Sequence, residues 1–302
     1  MNNKTKDYRC GYVALIGRPN VGKSTLLNHL LGQKLSITSR KPQTTRQHLL
    51  GIKTTETEQI IYVDTPGIHE NANRAINRYM NRTAISAIES VNVIVFIIEA
   101  LKWTSEDEAI LKRISQSTVP VILAINKVDK LEEKNRLLPF LQECSQKMAF
   151  NQVFPISALR DVNLNELEHQ VRELLDVSEP SYPEDQITDR SQRFLAAEII
   201  REKLMRQLGQ ELPYDLTVEI EKFKEEKGCY HINGLIWVER LNQKPIVIGE
   251  KGSRLKSVGE QARKDMEKLF DSKIYLELWV KVKEGWANDE RALQSLGYKD
   301  EL

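Results

Sequence analysis

From Tyr12 to Val177 short apolar runs alternate with longer amphipathic stretches. The runs fall at Tyr12–Ile16, Gln59–Val63, Val93–Ile98, Pro120–Ile125 and Val153–Ile156. Segments between them, such as Asp107–Ser115 and Asn163–Leu175, repeat apolar residues at helical spacing. Strands alternating with amphipathic helices predict an α/β domain, a doubly wound and mainly parallel sheet. Such sheets take ligands beyond the carboxyl ends of their strands, so the residues just after each run are the ones to inspect.

The periodicity lapses at Glu179-Pro180-Ser181-Tyr182-Pro183-Glu184-Asp185, a proline-bearing polar stretch that reads as a linker. A second pattern follows. Ala196, Ile200, Leu204 and Leu208 mark an amphipathic helix, and Leu216, Val218 and Ile220 alternate as a strand. Another strand is expected at Ile232–Val238, then a glycine turn with a helix, a helix around Ala262–Leu269, and a strand from Ile274 to Val282. The predicted organisation is a tail (1–10), an α/β domain (11–177), a linker (178–190), an α+β domain (191–283) and a C-terminal tail (284–302).

Composition adds mostly exclusions. With 302 residues there is room for two cores, and a net charge of +1 means that any basic surface must be local. Cys10, Cys144 and Cys229 have no CxxC spacing and suit reduced thiols in a cytoplasmic protein. The N-terminus lacks the apolar core of a signal peptide, and no stretch is apolar for long enough to span a bilayer. The final Lys299-Asp300-Glu301-Leu302 resembles a retention address but is expected to be coincidental without such a signal.

The candidate chemistry lies where the strands end. The first run leads into Gly17-Arg18-Pro19-Asn20-Val21-Gly22-Lys23-Ser24, followed by Thr25, a Walker A pattern between strand and helix. Its glycines allow backbone N–H groups to converge on phosphate oxygens, Lys23 reaches the outer phosphates, and Ser24 is placed to ligate Mg2+. After the second run, Asp64-Thr65-Pro66-Gly67 offers a carboxylate for magnesium and a backbone N–H for a γ-phosphate. Between them Lys41-Pro42-Gln43-Thr44-Thr45-Arg46 forms a loop in which Thr45, with Thr44 as the alternative, is expected to close over the metal as a switch. Asn126-Lys127-Val128-Asp129 follows the fourth run. Asp129 can accept hydrogen bonds from guanine N1–H and its amino group, whereas adenine offers neither donor there. Lys127 is expected to cover the base and Asn126 to bridge loops, with Ser157-Ala158 supplying a backbone N–H to guanine O6.

In the second half, Ile248-Gly249-Glu250-Lys251-Gly252-Ser253-Arg254 holds a GxxG loop. Seven basic residues, Lys244, Lys251, Arg254, Lys256, Arg263, Lys264 and Lys268, lie near it, against Glu250, Glu260, Asp265 and Glu267. Lys251 is the best candidate phosphate contact, while Asp265 to Lys268 read as a solvated helix face. Trp279 and Trp286 can stack bases, although packing is the commoner use of tryptophan.

The order and spacing of these motifs resemble translation-factor-like GTPases, and with the second half nearly the whole chain resembles the bacterial Era GTPases. That resemblance implies GTP hydrolysis, switch loops at Thr44–Thr45 and Asp64–Gly67 with Ile68 beside the second, and a prokaryotic-type KH domain. In a KH fold Ile248 to Arg254 would clamp a few nucleotides of single-stranded RNA. It further implies contact with the 3′ region of small-subunit ribosomal RNA during assembly of the small ribosomal subunit, and peripheral association with the inner membrane. The chain is expected to be cytoplasmic and monomeric. Ile68 stands where many GTPases place a water-orienting glutamine, so slow intrinsic hydrolysis is expected. The resemblance implies that Asn20 helps bind K+ beside the phosphates; the alternative is that it only shapes the loop. A signalling or membrane-associated GTPase whose C-terminal module binds a protein remains the rival reading.

Overall fold

The computed structural model describes residues 8–39, 41, 43–68, 74–209 and 212–298. Pro42, His69 and the retention-like terminus lie outside them. The first domain runs β1 (Arg9–Ile16), α1 (Lys23–Leu30), β2 (Leu49–Thr54), β3 (Glu58–Asp64), α2 (Ala75–Glu89), β4 (Val93–Glu99), α3 (Ser105–Ile114), β5 (Val121–Asn126), α4 (Leu137–Ser145), β6 (Gln152–Pro155) and α5 (Leu164–Leu174). The sheet order is β2-β3-β1-β4-β5-β6, parallel except for β2, which pairs antiparallel with β3. Period-two alternation divides the side chains between two cores. Val13, Leu15, Val95 and Ile97 pack under α1 and α5. Ala14, Ile16, Phe96 and Ile98 pack under α2, α3 and α4.

The second domain runs α6 (Gln192–Gln207), β7 (Leu216–Glu226), β8 (Cys229–Val238), α7 (Gln243–Ile248), α8 (Ser253–Phe270) and β9 (Lys273–Val282). β8 pairs antiparallel with β7 and parallel with β9. The predicted helix order needs one correction. The helix after the glycine turn and the one around Ala262–Leu269 are a single element, α8, because Val258, Ala262 and Met266 continue one buried face. The other helix, α7, precedes the glycines.

Two segments beyond the domains are also folded. Residues of the linker strap the sheet edge: the Ile52 N–H donates to Ile187 O at 2.9 Å, and Gln59 accepts from the N–H groups of Ser181 and Tyr182 at 2.7 and 2.9 Å. The C-terminal segment, expected only as a tail, carries α9 (Glu290–Ser295) and packs on α2. Trp286 is fully buried there with Tyr79, Met80 and Tyr298, which removes it from the candidates for base stacking. Trp279, on β9, remains 44% exposed.

The domains meet along α6, whose opposite faces serve different partners. Ala196, Ile200 and Leu204 enter the second core, while Arg201 and Glu202, also buried, face the first domain and Lys203 turns to Asp265 of α8. Glu202 accepts from Lys34 Nζ at 2.6 Å, from the Thr38 N–H at 2.9 Å and from Arg206 at 2.9 Å. Arg201 donates to Thr44 O and pairs with Glu198. Arg46 is buried and donates to Leu216 O at 2.7 Å while lying 5.8 Å from the Trp286 ring centroid. Asp265, expected on a solvated face, instead holds Lys34 at 2.9 Å and also pairs with Lys203.

Candidate nucleotide cleft and GxxG loop

The carboxyl ends of β1, β3 and β5 open onto a cleft of about 600 Å³ lined by Gly22, Lys23, Ser24, Thr45, Asn126 and Asp129, among others. Backbone constraints explain why the loop after β1 is glycine-rich. A Cβ at Gly17 would lie 2.4 Å from Ile97 O, and Gly22 has φ +110° with Asn126 Nδ2 only 2.3 Å from the position a Cβ would take. No other residue type fits those two positions without moving backbone or the base-reading loop. Asn20 stands exposed at the rim with φ +65°.

Lys23 is buried and donates to Gly17 O at 2.8 Å and Arg18 O at 3.1 Å. Burial lowers its pKa to about 8, against the opposing pull of Asp64. An ammonium so desolvated gains much from anionic phosphates brought within reach.

Ser24, Thr45 and Asp64 converge from three separate segments. Ser24 Oγ donates to Asp64 Oδ2 at 2.7 Å, lies 2.9 Å from Thr45 Oγ1, and Thr45 Oγ1 is 3.4 Å from the same carboxylate oxygen. Burial raises the Asp64 pKa, opposed by hydrogen bonds from Ser24 and Ser36 and by Lys23. Its Oδ1 is buried with no hydrogen-bond partner. Two hydroxyls and a carboxylate with an orphaned oxygen are the hard donor set that Mg2+ takes, so these residues fit the ion. Ser36, which donates to Asp64 at 2.7 Å, was not legible as part of this group. Of the two threonines, Thr44 turns back to Lys41 O at 2.7 Å, while Thr45 lies beside Ser24 and Asp64.

Asn126 does the bridging expected of it. Its Nδ2 donates to Val21 O at 2.8 Å, and its Oδ1 accepts from the N–H groups of Lys127 and Ala158 at 2.7 and 2.9 Å. Of the pair expected to supply a backbone N–H to guanine O6, the Ala158 N–H donates to Asn126 Oδ1 at 2.9 Å and the Ser157 N–H to Val162 O at 3.2 Å, with Ala158 lining the cleft. The Ser157 hydroxyl also donates to Asp129 at 2.5 Å, fixing the carboxylate at the end of this loop.

Several predicted residues support the cleft from behind. The side chain of Arg18 turns to Asp107, 3.1 Å away. Val21 and Pro66 are buried, Thr65 donates to Leu15 O at 2.9 Å, and Ile68 packs on the core beneath α2 and α3. Gly67 lines the cleft, where a Cβ would meet Pro19 at 2.7 Å. Thr25 and Lys127 line it as well.

The GxxG loop joins α7 to α8 in the second domain. Gly249, Lys251 and Gly252 all have positive φ, at 76°, 49° and 79°. A Cβ at Gly249 would lie 2.9 Å from the Arg254 N–H nitrogen, whereas Gly252 faces open space, the side from which a backbone ligand can approach. Glu250 and Lys251 are exposed, Ile248 packs on the second core, and Arg254 donates to Ile246 O.

The fold and cleft define a P-loop nucleotide-binding protein of guanine type joined to a KH module. Family models agree: residues 12–127 match the 50S ribosome-binding GTPase family and residues 211–287 the KH domain. The chain is 61% identical over 292 residues to GTPase Era of Pseudomonas aeruginosa, covering 97% of this chain and 96% of that one. It is equally identical, over 293 residues, to GTPase Era of Glaesserella parasuis, with 97% and 98% covered. Among solved structures, an Aquifex aeolicus Era variant bound to GDP and aluminium fluoride superposes with a TM-score of 0.93 at 43% identity, over 96% of this chain and 99% of that one. So does, with the same values, Era in complex with MgGDPNP and nucleotides 1506–1542 of 16S ribosomal RNA. This chain belongs to the Era family of GTPases, and it hydrolyses GTP.

Proposed function

We propose that this protein is a GTP-governed clamp for the single-stranded 3′ region of small-subunit ribosomal RNA, acting during assembly of the small ribosomal subunit. The observation that carries the reading is continuity. The loop bearing Thr45 is bonded directly to α6, through Thr38 to Glu202 and Thr44 to Arg201, and α6 packs against α8, which begins at the GxxG loop. A loop held by the γ-phosphate and metal is thereby in contact with the helix that leads to the RNA site. GTP binding favours the arrangement that captures RNA, and hydrolysis releases it.

In the cleft, Ser24 and Thr45 would hold Mg2+ directly and Asp64 would orient its ligands, while the ion supplies charge to offset that building on the phosphate oxygens. Lys23 and the backbone N–H groups after β1 hold the phosphates, and Asp129 selects guanine. Ile68 is packed away and offers no polar atom to align water, so intrinsic hydrolysis is slow. Asn20, at the rim beside Lys23, serves as a ligand for K+, whose charge adds to that of the lysine; equal rates in K+ and Na+ would refute this.

The protein works in the cytoplasm as a monomer, with peripheral attachment to the inner membrane surface. Light scattering tests the first point and flotation with anionic vesicles the second. The RNA reading is tested by Gly252→Asp, which sets an acid in the open approach to the loop. Binding of a 3′-end ribosomal oligonucleotide should fall at least tenfold while GTP hydrolysis is unchanged. Unaltered RNA binding would transfer the second domain to a protein partner.

A further inference from the structure

Behind the cleft a row of charged side chains joins segments far apart in sequence. Thr104 caps α3 and forms a reciprocal pair with Asp107, which is fully buried. Asp107 accepts from Arg18 Nε at 3.1 Å. Arg18 Nη2 then lies 3.5 Å from Glu99 Oε2, and that same oxygen accepts from Lys127 Nζ at 2.8 Å. Glu99 ends β4 and pairs in register with Asn126, so its carboxylate emerges beside the base-reading loop. Its pKa is depressed: burial pushes it up, but the hydrogen bond and charge of Lys127 and the charge of Arg18 outweigh that.

We infer that Glu99 is a positioning residue for guanine-nucleotide binding, one that fixes Lys127 over the base by sharing a single carboxylate oxygen between Lys127 and the phosphate-loop residue Arg18. The geometry sets Lys127 apart from an ordinary surface lysine. Its backbone is held at φ +69°, and its N–H donates to Asn126 Oδ1, so the start of the side chain is fixed. Its far end is fixed by Glu99. A four-carbon stem pinned at both ends lines the cleft as an apolar surface, with most of its rotamer entropy lost before the base arrives. Arg18, anchored from behind by Asp107, limits where the Glu99 carboxylate can sit. Neither Glu99 nor Asp107 touches the cleft, and neither belongs to a nucleotide motif.

The inference rests on the guanine-nucleotide reading of the cleft, which wild-type binding of fluorescent GDP checks separately. The experiment compares wild type, Glu99→Gln and Glu99→Ala for GDP release, for KM and kcat of GTP hydrolysis, and for inhibition by tripolyphosphate, which has no base to cover. Glu99 is partly exposed, and thermal unfolding without nucleotide reports whether the variants fold. The expected result is GDP release and KM both raised about tenfold in Glu99→Ala, less in Glu99→Gln, with kcat and tripolyphosphate inhibition unchanged. GDP release equal to wild type, or equal weakening of GDP and tripolyphosphate, would overturn it.

Discussion

The nucleotide cleft and the seam between the domains are built on opposite principles. In the cleft the candidate residues come mostly in contiguous stretches, Gly17–Ser24, Asp64–Gly67 and Asn126–Asp129, each at the end of a buried strand whose backbone dictates where the next residues point. Along the seam no stretch repeats. Lys34, Thr38, Arg46, Asp265 and Trp286 come singly from separate segments, Arg201 and Glu202 together from α6, and they are joined by hydrogen bonds, part-buried ion pairs and one cation–π contact. A cleft of that kind binds a small rigid ligand with a fixed register. The seam adds apolar contacts to these charged ones: Leu195, Phe194, Leu269 and Phe270 join the core under α1 and α5, and Trp286 and Tyr298 pack on α2.

If the cleft's selectivity is carried by one carboxylate, Asp129→Asn should show the largest effect. Replacing an acceptor pair by an amide that mismatches guanine is expected to weaken GDP by roughly 3 kcal/mol, about two orders of magnitude, measurable by titration of fluorescent nucleotide. At the seam, Trp286→Ala should come next. A fully buried tryptophan shared by α2 and the C-terminal segment is expected to be worth about 3 kcal/mol or more of stability, read from denaturant unfolding, with GDP affinity little altered.

These two variants also mark what a reader of the sequence can and cannot see. Asp129 is legible because guanine's donors demand an acceptor and the four-residue motif follows a strand. Trp286 is not: in the sequence it stands in a polar segment after the last strand, and nothing there says that Tyr79 and Tyr298 will enclose it. Glu202 is hidden for a different reason. The apolar stripe at Ala196, Ile200 and Leu204 accounts for α6, so its other face reads as solvated. Burial of that face depends on the first domain lying against it, a tertiary fact with no local signature. Ser36 and Glu99 are concealed likewise, each being a polar residue outside the motifs that acquires its role from a strand or loop distant in sequence.

A smaller effect is expected from pH. Free Lys23 has a pKa lowered to about 8, and phosphates restore its charge, so its pKa rises on binding. Above pH 8 nucleotide binding must therefore take up a proton, and affinity falls by at most about tenfold per pH unit; below pH 8 this group makes no contribution to the slope. Calorimetry of GDP binding from pH 7 to 9.5 in two buffers of different ionisation enthalpy would detect that proton. Affinity independent of pH over that range would place Lys23 away from the phosphates.

The proposed clamp requires the seam to transmit the state of the cleft to the RNA loop. The most direct measurement is the affinity of a fluorescent single-stranded RNA from the 3′ end of small-subunit ribosomal RNA, with GDP or a non-hydrolysable GTP analogue, for wild type and Glu202→Gln. Wild type should bind more tightly with the analogue, and Glu202→Gln should bind with the same affinity in both states, because the link from Thr38 to α6 is weakened. Equal affinities in wild type, or a nucleotide effect undiminished in the variant, would contradict it.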